Sequence, residues 1–447
     1  MSLAEGPVLA VDVGSSSIKA AVIGTNGRAA VTSKVPLAAA AIGERVEIGT
    51  DALWDAFVRS VRLLSRDGQD LKGLIGIGIT SQMAGLVMLD KEGRPVRDCI
   101  PGVDRRGTSY VAELSLRVKG VDIVSRTGCP LSGIYPASKL LCLQAEEPDV
   151  LKRTAYIGGV KEYLLQRLTG AWVTDPASAS ATQLYDQQCR DWWPEMLEAA
   201  GIDPGLLPQI CDPDRLAGTL LPEAGNRLGL PPGLPVAVGT GDGPAANLSS
   251  GCVAEGQLCI SLGTTAVARF WSEDAGALTE KGGYFRQHFG WNMYLQGFRM
   301  EGAGSRISEL LALSDTDKHA QNGKLQSVLD DILFRLYEYM EPFVVRGRFQ
   351  EIRPIGGGML RESWMQDIAD LFRLPVVLTE GGDSTSGAAM LVMKHLNSGT
   401  AWKNISDKIV RIQKVIRPGV QGSEAIRRRY ELSISNMKGG RRGLFRS

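Results

Sequence analysis

One six-residue design occurs twice in this chain, about half its length apart. Residues 11–16 read Val-Asp-Val-Gly-Ser-Ser and residues 260–265 read Ile-Ser-Leu-Gly-Thr-Thr. Each is apolar, polar, apolar, glycine, hydroxyl, hydroxyl, and each is followed by a second apolar run, 18–23 or 266–271. Alternation broken at glycine predicts strand, tight turn and strand. Two such hairpins predict a duplicated domain whose turns face one another across a cleft. A turn of glycine and hydroxyls presents bare amides and O–H donors, the makings of a phosphate clamp. No GxxxxGK[ST] run and no strand-led GxGxxG occurs, so a P-loop or a dinucleotide fingerprint does not explain the pattern.

Four places carry candidate chemistry. Asp12 ends a buried apolar strand, where a carboxylate is costly unless it holds water, a cation or a backbone group; an Asx-turn onto Ser15 or Ser16 is the plainer alternative. Asp242 lies between Gly241 and Gly243, after an apolar strand over 234–238 and before a short helix from Pro244. That setting keeps a carboxylate close to backbone but uncovered, as a general base requires, and a helix N-cap is the alternative. Residues 356–358 are three glycines between a strand over 352–355 and a helix over 362–371, bare backbone on which a flat ring such as adenine could lie. The loop 99–107, CIPGVDRRG, packs Asp104, Arg105 and Arg106 together, as a solvated charged turn or as a polyol-binding edge.

The rest of the chain narrows the choice. With three histidines and none at metal-ligand spacing, acids, hydroxyls and backbone must carry the chemistry. A net charge of +1 argues against a nucleic-acid partner, and the basic run within 427–446 reads as a frayed tail. Seven cysteines without a CxxC pair read as reduced thiols in a cytoplasmic protein, and no apolar run is long enough to span a membrane. Periodicity predicts helices over 51–64, 109–118, 138–145, 160–168, 193–200 and 324–343, and a helix within 297–313, the stretch that carries Glu301. It also predicts a small-residue helix over 384–396, packed closely on a neighbour. A strand over 74–79 leads into Thr-Ser-Gln-Met-Ala-Gly at 80–85.

Taken in order, these stretches resemble the FGGY carbohydrate kinases, within the sugar kinase, Hsp70 and actin fold. DVGSSSIK at 12–19 is similar to the family's first phosphate motif, SQMAGLVMLDKEGRPV at 81–96 to its SGQMHG segment, and GTGDG at 239–243 to the segment bearing the catalytic base. SLGTTA at 261–266 resembles the second phosphate motif, and GGGMLRESWMQDIADLFRLPV at 356–376 the adenosine motif. The resemblance implies an α/β fold of two duplicated RNase H-like domains around a central cleft, with domains at 1–240 and 241–447. It implies phosphorylation of an open-chain sugar hydroxyl by ATP, most like a pentulose such as xylulose, with gluconate or a polyol as alternatives. Asp242 would be the catalytic base and Asp12 would position Mg2+ through water. Gly14, Ser15, Ser16 and Lys19 with Gly263, Thr264 and Thr265 would bind the phosphates, and Gly357, Gly358 and Met359 would cradle adenine. Gln82, Met83, Ala84, Asp104, Arg106, Asp242 and Gly243 would bind the sugar. The partners implied are the sugar and ATP alone, with no nucleic acid or membrane, and with a homodimer left open.

Four departures from the family pattern bear on the acceptor and on the ATP side. Ala84 stands where xylulose kinases have His, Gly243 where they have Asn, and Gly102 where the WxDxR pattern has Trp. The segment around 314–323 is short against the family. A chaperone or filament subunit of the same fold, or a sugar sensor without catalysis, is the competing class, and Gly-Asp-Gly at 241–243 argues against it.

Overall fold

The computed structural model describes residues 6–65, 71–118, 121–263, 265–276, 283–312, 318–356, 361–380 and 383–439. The chain forms two compact units, each assembled from separate stretches. The first comprises Met1–Val253, Ser272–Gln296 and Gly381–Arg411, and the second Ala254–Trp271, Gly297–Glu380 and Ile412–Ser447.

In the first unit, Val8–Val13 runs antiparallel to Ser17–Ile23, which pairs with Ala29–Pro36, and parallel to Gly76–Ser81. Pro235–Ala237 and Thr240–Gly241 both join Gly76–Ser81 in parallel. Period-two alternation gives this sheet two different faces. Leu9, Val11 and Val13 join Ile77 and Ile79 in a core with the helices Thr50–Leu64 and Val160–Thr169. Those helices bring Leu53, Trp54, Phe57, Val61 and Leu64, and Tyr163, Leu164, Leu165 and Leu168, at the spacing that lines one helical face. The opposite face carries Val8, Ala10 and Asp12, in register with Gly76, Gly78 and Thr80. There the helix Ser384–Leu396 lies so close that a Cβ on Gly78 would come within 3.0 Å of the Ala388 carbonyl oxygen. The same helix meets Asp242–Ser249, where a Cβ on Gly387 would collide with the Ala245 carbonyl. The small-residue helix expected from the sequence is therefore present over Ser384–Leu396, and its small residues are what allow backbone to meet backbone.

The second unit repeats the opening move. Gln257–Leu262 is antiparallel to Ala266–Ser272 and parallel to Glu351–Ile355, which is parallel to Val376–Glu380. The shared arrangement, a hairpin followed by a parallel strand, is the duplication legible in the repeated motif, and the fold is the duplicated α/β one.

One expectation is sharpened and one corrected. The helix expected within 297–313 is Ala303–Ala312, and a strand, Met293–Met300, precedes it. Tyr294, Leu295 and Phe298 are buried in that strand, and its Gly297 approaches Ala268 too closely for a side chain. The basic C-terminal stretch is not a frayed tail throughout, because Val420–Gly439 is helical. Arg427 reaches the Tyr337 hydroxyl at 2.9 Å and Glu341 at 3.2 Å, and Arg429 pairs with Asp330. Of the segment around 314–323, residues 313–317 lie outside the described residues, and the helix Lys318–Val345 begins within it. Among the described residues, no helix is long and apolar enough to cross a membrane.

Candidate active site

Asp12 sits one residue from the end of its strand, opposite Lys19 on one side and Thr80 on the other, with Thr240 beyond Thr80. A polar row, Lys19, Asp12, Thr80, Thr240, thus crosses the sheet at the level where the parallel strands end. In open α/β sheets, ligands bind outside the carboxyl ends of the strands. Asp12 Oδ1 is buried and has no hydrogen-bond partner, so the Asx-turn alternative is not what occupies it. Burial first, and then the Asp242 carboxylate, push the Asp12 pKa up to about 7; Lys19 pulls it down, and Asp383 adds a smaller push. A mostly buried oxygen with nothing to accept from is a group waiting for a cation or water. Among the described residues, no three His, Cys, Asp or Glu side chains lie close enough together to hold a metal directly. One open carboxylate suits Mg2+, which keeps several waters and takes few protein ligands.

Asp242 is the first residue of Asp242–Ser249, after the N-cap Gly241, and its side chain is exposed. Its Oδ1 accepts from the Gly243 amide at 2.8 Å. The segment after Gly76–Ser81 is brought to the same place. The Gln82 amide donates to Val13 O at 2.8 Å, and the Gln82 side chain reaches Gly14 O at 3.4 Å and accepts from the Gly102 amide at 3.1 Å. Met83 presses against Gly241, where a Cβ would collide with its Sδ. Ala84 adopts a left-handed backbone, φ 59°. Gln82, Met83, Gly14, Gly241 and Asp242 are therefore neighbours.

Asp104 and Arg106 belong to a buried ion-pair network. Both are buried, and Arg106 Nε lies 3.0 and 3.1 Å from the two Asp104 oxygens. The Val46 amide donates to Asp104 Oδ2 at 2.6 Å, Arg106 Nη2 reaches Glu47 at 2.8 Å, and Arg97 joins Glu47 to Glu147. Asp104 and Arg106 thus stiffen the 101–106 loop as an ion-pair network, and neither is a solvated turn residue. Behind the loop, the fully buried Lys139 of the helix Pro136–Glu146 donates to Ala84 O at 3.0 Å and Pro101 O at 2.9 Å. Burial pulls its pKa down to about 7, against the pull of Asp104.

The first hairpin turn is formed by Gly14, whose amide bonds Ser17 O at 3.0 Å, by partly exposed Ser15 and by exposed Ser16. In the second unit, exposed Gly263 donates to Thr265 O at 3.0 Å, and a side chain at Gly263 would meet nothing within 4 Å. Thr264, Gly357, Gly358 and Met359 lie outside the described residues. Gly356 takes a positive φ of 102°, with no room for a Cβ beside Leu262 O. Two residues escaped the sequence reading. Asp383 caps the helix Ser384–Leu396, accepting from Thr385 N at 3.1 Å, and its charge acts on Asp12. The Gly-Gly-Asp-Ser run at 381–384 was a visible capping signal, but nothing local connects it to Asp12. Lys139 carries no local signal, since a lysine in an apolar helix is legible only once its partners are known.

The model of the FGGY family of carbohydrate kinases, N-terminal domain, matches residues 7–249. The chain is 23% identical to a gluconokinase of Bacillus subtilis (strain 168), over 90% of each chain, and 24% identical to a xylulose kinase of the same organism, over 95% of each. Its fold is similar to that of a ligand-bound xylulose kinase from Lactobacillus acidophilus, with a TM-score of 0.87 at 20% identity over 97% of this chain and 98% of that one. With its doubled hairpin design and a family model covering more than half its length, the chain belongs to the FGGY family of carbohydrate kinases.

Proposed function

We propose that this kinase transfers the γ-phosphoryl group of ATP to a hydroxyl of an open-chain sugar, with Asp242 as the base, and that a pentulose such as xylulose is its acceptor. The observation that carries the reading is the pairing of an exposed carboxylate, Asp242, with a mostly buried one, Asp12, whose Oδ1 lacks a partner. The two environments fit two roles: solvent access keeps one carboxylate ready to take a proton, and burial leaves the other short of positive charge.

In this reading the acceptor hydroxyl passes its proton to an Asp242 carboxylate oxygen as its own oxygen bonds to the γ-phosphorus. The bond from that phosphorus to the β–γ bridging oxygen breaks, and ADP leaves. Phosphoryl transfer asks the protein mainly for alignment and charge neutralisation. Gln82 and Met83 support alignment, being fixed to Gly14 O, Gly102 N and Gly241. Asp12 would hold Mg2+ through water, and the metal, when bound, neutralises phosphate charge. Gly14, Ser15 and Ser16, with Lys19 behind them, and Gly263, Thr264 and Thr265 would serve the phosphates; Gly357, Gly358 and Met359 would serve adenine.

A gluconate-like acceptor is the second reading, favoured by Ala84 and Gly243. Neither offers a side-chain hydrogen bond to a sugar hydroxyl, and sites discriminate strongly only through such bonds. The test is coupled ADP release over pentuloses, polyols and hexonates, with Asp242→Asn alongside. Sugar-dependent turnover should fall by about 10³-fold or more in that variant, the loss expected when a base and its alignment go together. Full turnover by Asp242→Asn would remove the base from Asp242.

A further inference from the structure

A buried charged cluster stands directly behind the strand that delivers Asp242. Lys161 is fully buried on the first turn of Val160–Thr169, with its ammonium 2.8 Å from Glu162 Oε1 and 3.3 Å from Asp175 Oδ1. Glu162 also accepts from the Gly159 amide at 2.9 Å and from the Thr174 hydroxyl at 2.7 Å. Asp175 Oδ2 accepts from the amides of Ala177 and Ser178, at 3.1 and 3.3 Å, and from the hydroxyl of Thr240 at 2.7 Å. Two carboxylates share one ammonium, and the amide and hydroxyl donors around the carboxylates help hold their buried charge.

Thr240 is fully buried and two residues from Asp242. It pairs with Thr80 in the sheet, and Gly241 pairs with Ser81. Before it, Gly239 takes φ 73° and leaves no space for a Cβ beside Ile79 O. Backbone pairing fixes this short strand on one side, and the Thr240 hydroxyl is its side-chain tie to the cluster on the other. We propose that Thr240 and Asp175 are positioning residues for Asp242: the hydroxyl-to-carboxylate bond sets where the strand ends and hence where the Asp242 carboxylate is held. The inference rests on the assignment of Asp242 as base.

The tie is separable from packing because threonine has two near-isosteric replacements. Thr240→Val keeps the shape and deletes the donor; Thr240→Ser keeps the donor and deletes a methyl. With Thr240→Val, kcat per folded molecule should fall about 10- to 100-fold, the scale of a small misplacement of a catalytic group, with KM for ATP unchanged. Thr240→Ser should recover most of kcat. A merely structural hydroxyl would lower the urea midpoint of Thr240→Val and leave its kcat intact. Should the valine variant fail to fold, Thr240→Ala against Thr240→Ser carries the same comparison. Wild-type kcat in the valine or alanine variant, with Asp242→Asn inactive, overturns the positioning role, as does a serine variant as slow as the valine one. An active Asp242→Asn overturns the base assignment beneath it, and the two failures are told apart by that one variant.

Discussion

Asp12→Asn should make the ligand-free protein more stable at neutral and alkaline pH while abolishing its activity. In the folded chain the Asp12 carboxyl titrates at about 7, against an ordinary 3.8. Between those values the folded state keeps a proton that the unfolded state has released, so wild-type stability falls as pH rises through the window and stays lowered above it. At about 1.4 kcal/mol per pH unit, the ceiling on that loss is about 4 kcal/mol. Asp12 is not fully enclosed, and solvent screening brings the expected effect to about 1–3 kcal/mol. The amide introduced by the substitution carries no charge and removes the dependence. Urea unfolding at pH 4 and pH 8 measures it: the variant should match wild type at pH 4 and exceed it at pH 8. Added Mg2+ and ATP should then raise the midpoint of wild type and leave that of Asp12→Asn unmoved. A variant less stable than wild type at pH 8, or one equally stabilised at both pH values, would refute the reasoning from burial and charge.

Two further outcomes follow from the same unit. Lys139→Met should raise KM for the sugar, because the Ala84 and Pro101 carbonyls lose a common donor, at about 1–3 kcal/mol for each left unpaired. The folded Lys139 releases its proton near 7, below its ordinary 10.5. Between those values the unfolded state binds the extra proton, so wild-type stability should rise with pH there, and denaturation midpoints of the methionine variant should lack that rise. Gly387→Ala should cost about 1–3 kcal/mol and lower kcat, because its Cβ would push Ser384–Leu396 off the Ala245 carbonyl in the helix led by Asp242; an unchanged urea midpoint would show that the two helices separate freely.

What could be read from the sequence was whatever is decided within a few residues. The hairpin around Gly14 was legible because alternation and a glycine turn are local, and Ser384–Leu396 falls where its small-residue pattern put it. The strand Met293–Met300 was not legible ahead of its helix, since an apolar run with one glycine does not announce its period. Asp12 and Asp242 stood out as acids in apolar or glycine settings, but that each acts on the other's charge depends on a sheet and two helices meeting. Asp104 and Arg106 show the limit from the other side. Their spacing was visible, while their engagement with Glu47 and the Val46 amide, about sixty residues earlier, was not.

The first unit's dependence on Gly381–Arg411 has a consequence for how the protein is made. The strands Val8–Val13 and Gly76–Ser81 leave the ribosome early, and Ser384–Leu396, which covers one face of them, leaves after more than three quarters of the chain has been synthesised. At about 5–20 residues per second that face waits some tens of seconds for its cover. A nascent chain ending near Val253 would carry both candidate carboxylates on a sheet with one naked, glycine-lined side, sticky to other nascent chains and to chaperones. Activity cannot outrun synthesis, because Ser384–Leu396, made late, is the helix that packs against the one led by Asp242.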